Sequence, residues 1–224
     1  MSTIHIESKK EDIASRVLMP GDPNRVKYIV EKYLTDYKLV NERRGELAYT
    51  GYYKNELVTV FSSGMGIPSM GIYSYELFKD YDVKVILRIG TARSVRENIN
   101  IGDLIFVDSS FSNSCYSMEL LGEKIDKVDS SEVVNGMLIA RKRDIKGVKA
   151  YCAEAFYERE VDTTGFDVIE MESYSLFLNA MHLEKYAGCL LTITDKDNLS
   201  LDPVKREKNL DEMIVLALES IIKL

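Results

Sequence analysis

Two histidines, three cysteines and four prolines in 224 residues leave this chain short of several kinds of chemistry. With only His5 and His182, a histidine-rich metal centre is excluded, and no metal site is expected. Cys115, Cys152 and Cys189 stand far apart with no CxxC spacing. That argues against a disulfide framework or a zinc site and suits reduced thiols in a cytoplasmic protein. Cys152 and Cys189 lie inside apolar, strand-like runs and read as small buried hydrophobes. No apolar run approaches the length of a membrane span. The amino terminus, MSTIHIESKKED, lacks the apolar segment of a secretory signal. The expectation is therefore a cytoplasmic protein without a membrane partner. An excess of positive charge is missing too: the net charge is −7, which argues against a nucleic-acid surface. The charge runs at 9–12 and 141–144 are mixed or short and read as solvated faces. An acidic chain that binds a small anion needs a few arginines placed locally.

What is present points to alternating strands and helices. Strand-like runs occupy residues 16–19, 47–53, 57–62, 83–89, 104–107, 148–153 and 187–194. Several are nearly continuous apolar stretches, as expected of strands covered on both faces. Pro23 is placed as a first helical residue, with Val26, Ile29, Val30, Tyr33 and Leu34 following at helical spacing. Pro68 starts a second helix to about Asp80, residues 170–183 read as a third, and Leu210, Met213, Ile214, Ala217, Leu218 and Ile221 form a closing amphipathic stripe. Lys54-Asn55-Glu56 joins two strands as an antiparallel hairpin, so the sheet is mixed. The fold class expected is α/β: a single three-layer domain over 1–224, with a central mixed β-sheet flanked by helices. The Ser-rich segment 108–114 reads as a mobile loop.

Asp195 stands where the run 187–194 ends. Open α/β sheets bind ligands beyond the carboxyl ends of their strands, and a carboxyl there can act as an acid if its surroundings raise its pKa. The competing reading is a turn cap. Gly21 and Arg25, in Met19-Pro20-Gly21-Asp22-Pro23-Asn24-Arg25, join a strand to a helix amino terminus in a way that suits an anion. Ser62-Ser63-Gly64-Met65-Gly66-Ile67-Pro68-Ser69 repeats that theme, and Leu87-Arg88-Ile89-Gly90-Thr91-Ala92 repeats it again. Arg88 in an apolar strand is costly unless it meets an anion or a salt-bridge partner, and both remain open. Ile169-Glu170-Met171-Glu172-Ser173 sets two carboxylates where a strand yields to a helix. They suit vicinal sugar hydroxyls, or else they complement a helix dipole. Phe156-Tyr157 offers a ring that could stack on a flat ligand or belong to the core.

Together these segments resemble the nucleoside phosphorylase family, specifically the bacterial hexameric type of purine nucleoside phosphorylase. The resemblance covers nearly the whole chain and is strongest at LMPGDPNRVKY (18–28), SGMGIPS (63–69), 88–91, EMES (170–173) and Thr194-Asp195. It implies phosphorolysis of a purine nucleoside, with inorganic phosphate as co-substrate and no cofactor. By position, it assigns phosphate to Gly21, Arg25, Arg88 and Thr91, with Arg44 from a neighbouring subunit. Met65, Met171 and Glu172 would hold the ribose, with His5 of the neighbour at its 5′-hydroxyl. Phe156, Ile169 and Glu170 would line the base and sugar pocket. Asp195 would protonate purine N7, assisted by Arg206. A shared site implies a homo-oligomer, and the family suggests a hexamer built as a trimer of dimers.

One residue departs from the family pattern. A glycine is expected after Thr91-Ala92, and Arg93 stands there instead. It narrows the base pocket, adds a contact to the purine, or turns outward. Uridine phosphorylase is the nearest rival; those enzymes read uracil with Gln and Arg, and this chain has no glutamine. A hydrolytic nucleosidase would have no use for three arginines around one anion. A non-catalytic nucleoside-binding protein is the rival from another class.

Overall fold

The computed structural model describes residues 2–157, 162–197, 199–202 and 210–224. In chain order its strands are β1 (Arg16–Pro20), β2 (Thr35–Asn41), β3 (Ala48–Tyr53), β4 (Glu56–Phe61), β5 (Val85–Ser94) and β6 (Leu104–Phe111). They continue with β7 (Lys127–Asp129), β8 (Lys146–Cys152), β9 (Val168–Glu170), β10 (Tyr186–Lys196) and β11 (Leu199–Ser200). The helices are α1 (Pro23–Tyr33), α2 (Ile67–Asp80), α3 (Tyr116–Leu121), α4 (Glu132–Arg141), α5 (Ser173–His182) and α6 (Asp211–Ile221).

Local chemistry accounts for several of these boundaries. Asp22 caps α1 by accepting the Asn24 N–H at 2.8 Å, and Pro23 takes the first helical position, where no N–H is needed. The β3–β4 hairpin turns at Lys54 and Asn55, whose φ values of 50° and 66° match the twist of the flanking strands.

All eleven strands belong to one mixed sheet, in the order β11-β10-β6-β8-β9-β5-β1-β4-β3-β2, with β7 on β6. An additional β10–β5 pairing closes β5, β10, β6, β8 and β9 into a ring. The strands β1, β4, β3 and β2 extend from it as an open wing. Helices cover both faces, as expected. On one face Met70, Leu77 and Phe78 of α2 and Phe177 of α5 share a core with Ile86, Leu191 and Ile193. On the other, Val26 and Ile29 of α1, Leu138 of α4 and Met213 of α6 pack with Leu87, Ile89 and Leu190.

Two expectations are corrected. The segment 108–114 is not a mobile loop. Ser109, Ser110 and Phe111 pair with both β7 and β8, and Ser109, Ser110, Ser112 and Ser114 are buried. Serine is too weak a strand former to announce this, but neighbours on both sides satisfy its backbone. Nor does the strand starting near 83 end at Ile89. It runs through Gly90 and Thr91 to Ser94, because β10 supplies partners along its whole length.

The edges of β5 position the site. One edge follows β10 from Val85 to Ser94. The other pairs with β1 only over Val85–Ile89 and with β9 only at Arg93 and Ser94. Among the described residues, Gly90 to Ala92 therefore meets no strand on that edge. This gap opens where β1 ends and β9 begins.

Candidate active site

The turns after β1 and β4 border the gap. Pro20 aligns with Ile89, so the Gly21 turn stands level with Gly90 and Thr91. The Ser63 N–H donates to the Pro20 carbonyl at 2.9 Å, tying the two turns together. A Cβ on Gly21 would lie 3.1 Å from the Gly64 carbonyl oxygen, so this position suits glycine. Gly64 and Gly66 have φ of 65° and 87°, and the Ser69 hydroxyl donates to the Ser63 carbonyl at 2.6 Å. Arg25 lies half-buried on the first turn of α1.

Opposite them, β9 delivers the acidic pair. The Glu170 carboxylate accepts the N–H of Glu172 at 3.0 Å and the N–H of Ser173 at 3.0 and 3.1 Å, and the Ser173 hydroxyl at 2.5 Å. It thereby satisfies donors at the amino end of α5. Its side chain is 0% exposed, so its carboxylate faces inward and fixes the turn that carries Met171 and Glu172. That is the helix-terminus reading left open by the sequence. The Gly66 N–H donates to Glu172 Oε1 at 2.7 Å, and Arg88 Nη2 pairs with Glu172 Oε2. Arg88 Nε lies 3.5 Å from Glu170 Oε2.

Arg88 is therefore salt-bridged as well as placed at the gap. A Cβ on Gly90 would come within 2.6 Å of Arg88 Nη1, so the missing side chain makes room for the guanidinium. Burial opposes the charge on Arg88, but the carboxylates facing it, Glu172 above all, outweigh that and hold it firmly protonated. Burial pushes Glu172 above the usual carboxylate range; Arg88 offsets part of the rise and Glu170 adds to it. The thiols of Cys189 and Cys152 are also pushed well up by burial. They are packing groups, as the sequence suggested.

The far end of β5 carries a second row. A bulge between Ile193 and Asp195 brings Asp195 into register with Arg93. Asp195 thus lies within the last turn of pairing rather than beyond the strand. Its Oδ2 accepts the Thr194 hydroxyl at 2.7 Å and its Oδ1 the Ser200 hydroxyl at 2.6 Å. Ile169 pairs with Arg93 from the other side. Thr91 is half-buried and registers with Thr192. Met65 and Phe156 are 82% and 75% exposed, so within one chain neither is enclosed by the site.

His5 is elsewhere in the chain's own contacts. Its Nδ1 lies 2.6 Å from Glu76 Oε1 on α2, at the rim of a cleft of about 480 Å³ that includes Ile67, Tyr75, Cys115 and Tyr116. Arg44 is exposed at φ 62°, in a turn where Arg43 donates to the Thr3 carbonyl at 2.7 Å. Arg206 lies outside the described residues. Sequence reasoning missed the Gly66 N–H as a partner of Glu172 and Gly90 as the seat of Arg88. One is a backbone donor and the other an absent side chain, so neither leaves a side-chain signature in the sequence. Among the described residues, no group of three His, Cys, Asp or Glu side chains is arranged to hold a metal. No helix there is long and apolar enough to cross a membrane.

Comparison with known proteins adds independent observations. Residues 15–222 match the family model described as the phosphorylase superfamily. The chain is 41% identical to the DeoD-type purine nucleoside phosphorylase of Mycoplasma genitalium over 236 aligned positions, covering 99% of each chain. It is 38% identical to the enzyme of that name from Mycoplasma pneumoniae, covering 97% of each. The corresponding Listeria welshimeri protein is 34% identical, with 99% of this chain and 100% of that one covered. Among solved structures, uridine phosphorylase from Vibrio fischeri superposes with a TM-score of 0.89 over 100% of this chain and 97% of the other, at 21% identity. At that identity the match speaks to the fold.

Proposed function

The chain belongs to the phosphorylase superfamily, and we propose that it is a purine nucleoside phosphorylase, cleaving purine (deoxy)ribonucleosides with inorganic phosphate to free base and (deoxy)ribose 1-phosphate. The observation that carries this reading is the gap at Gly90–Ala92 on β5, with the buried Arg88–Glu172 pair on one side and the Gly21 turn on the other.

An anion seated in that gap is reached by the N–H groups of the Gly21 turn, by Arg25 and Arg88, and by Thr91. Arg44 of a neighbouring copy completes its charge balance. Glu172 accepts hydrogen bonds from the ribose hydroxyls, Met65 and Met171 pack on the sugar, and His5 of the neighbour takes the 5′-hydroxyl. Ile169 and Phe156 flank the base. Glu170, turned inward, supports this pocket by fixing the segment that bears Glu172.

The reaction follows from those placements. The bond from C1′ to N9 breaks with its electron pair leaving on the purine, and a phosphate oxygen forms the new bond to C1′. The sugar passes through an oxocarbenium-like state, which the adjacent phosphate stabilises by its charge. Asp195 gives a proton to N7, so the base departs neutral, and Arg206 assists that transfer. General acid help of this kind is worth about 10²–10⁴-fold in rate. Shared residues require a homo-oligomer, which we take to be a hexamer, and the buried thiols suit a reducing cytoplasm.

Release of base from adenosine, inosine and uridine, each with and without phosphate, tests the proposal. Phosphate-dependent purine release is the expected result. Release without phosphate would indicate a hydrolase, cleavage of uridine alone a pyrimidine enzyme, and no release at all a binding protein.

A further inference from the structure

Arg93 is the Cα partner of Asp195 on β10 and of Ile169 on β9. Register partners project from the same face of a sheet, so Asp195, Arg93 and Ile169 form a row across three strands spaced about 4.8 Å apart. The Arg93 side chain is exposed, and among the described residues no carboxylate pairs with it. Hydroxyl groups of Thr194 and Ser200 already occupy both oxygens of its neighbour Asp195. A fork of donors with no acceptor therefore stands beside the base-directed carboxyl, unclaimed by any acid of the described chain.

We infer that Arg93 reads the 6-substituent of the purine, donating to O6 of a 6-oxopurine and disfavouring a 6-amino group. This rests on the reading of Asp195 as the N7 proton donor. N7 and the 6-substituent lie side by side on one edge of the purine, where a 6-oxo group accepts and a 6-amino group donates. With Asp195 at N7, the next position along that edge falls to the neighbouring strand, which carries Arg93. Electron density moving onto the departing base is shared with O6, so the guanidinium contact strengthens as the bond breaks. A 6-amino group presents N–H to N–H and gains nothing.

The test compares kcat/KM for inosine and adenosine in the wild type, Arg93→Ala and Arg93→Lys. Calorimetric binding of hypoxanthine and adenine is measured on the same preparations. The wild type should favour inosine, and Arg93→Ala should lower the inosine-to-adenosine ratio by roughly 10- to 100-fold, the range of a charge-assisted hydrogen bond. Arg93→Lys should retain part of the preference. An unchanged ratio in Arg93→Ala overturns the inference and leaves the phosphorylase reading standing. A hypoxanthine preference that Arg93→Ala abolishes, with no phosphorolysis by the wild type, does the reverse. Equal binding of both bases by wild type and variant removes Arg93 from base recognition whatever the turnover.

Discussion

Removing the guanidinium of Arg88 would leave Glu172 and Glu170 facing one another with side chains only 7% and 0% exposed. Breaking a buried pair in this way costs about 3–5 kcal/mol. Arg88→Ala is therefore expected to lower the denaturation midpoint substantially as well as to weaken phosphate use; full stability in urea would show that the pair is not the buried charge balance described above. Asp195 makes the opposite case, since it is half-buried and accepts the hydroxyls of Thr194 and Ser200. Asp195→Ala should reduce kcat by about 10²–10⁴-fold while the Kd for nucleoside stays nearly constant. Unchanged turnover would remove Asp195 from the proton transfer. The sequence named both residues, because an arginine in an apolar strand and an acid at a strand end are anomalies of type. It did not reveal that Arg88 answers to Glu172, as that pairing spans 84 positions.

Between elements, the clearest electrostatic contact joins α1 to α6. Asp211, the first residue of α6, accepts hydrogen bonds from Tyr28 and Tyr33 at 2.7 and 2.6 Å and from Lys32 at 2.7 Å. Burial works against the charge, but the donors prevail and hold the carboxyl down to about 2. A depressed carboxyl contributes stability above its unfolded value near 4, and the contribution fades as pH falls toward 2. Because the site is well exposed, screening limits the effect to about 1 kcal/mol or less. Asp211→Asn should flatten the fall in stability between those two pH values, read as denaturation midpoint against pH. A slope identical to wild type would mean that the contact contributes nothing. The helices α1, α2, α5 and α6 were legible from proline placement and apolar spacing, and the β3–β4 hairpin from its turn residues; α3 and α4 were not read from the sequence. The extents of β5 and β6 were not: Gly90 and the serines of 109–112 are poor strand formers, held extended by partners distant in sequence.

On the scale of the whole molecule, the proposal requires a site that more than one chain supplies. Within one chain His5 leans on Glu76 and Arg44 is exposed, so among the described residues neither side chain is held at the gap on β5 by its own protomer. If Arg44 serves a neighbour, oligomers reassembled from Arg44→Ala and Asp195→Ala chains should regain phosphorolysis in sites that combine two intact contributions. Neither variant alone should show that activity. Failure of the mixture to recover would assign Arg44 to its own chain.

Local sequence was sufficient for the alternation of apolar strands and amphipathic helices, the mixed sheet, and the residue types gathered at strand ends. Those features depend on spacing and side-chain chemistry within a few positions of one another. The ring closed by β5 and β10, the gap at Gly90–Ala92, the inward turn of Glu170 and the row Asp195–Arg93–Ile169 were decided by tertiary structure. Each depends on strand register between distant segments, where a shift of one residue reverses every side chain, and backbone hydrogen bonding to a far neighbour outweighs the local preference of glycine and serine to turn.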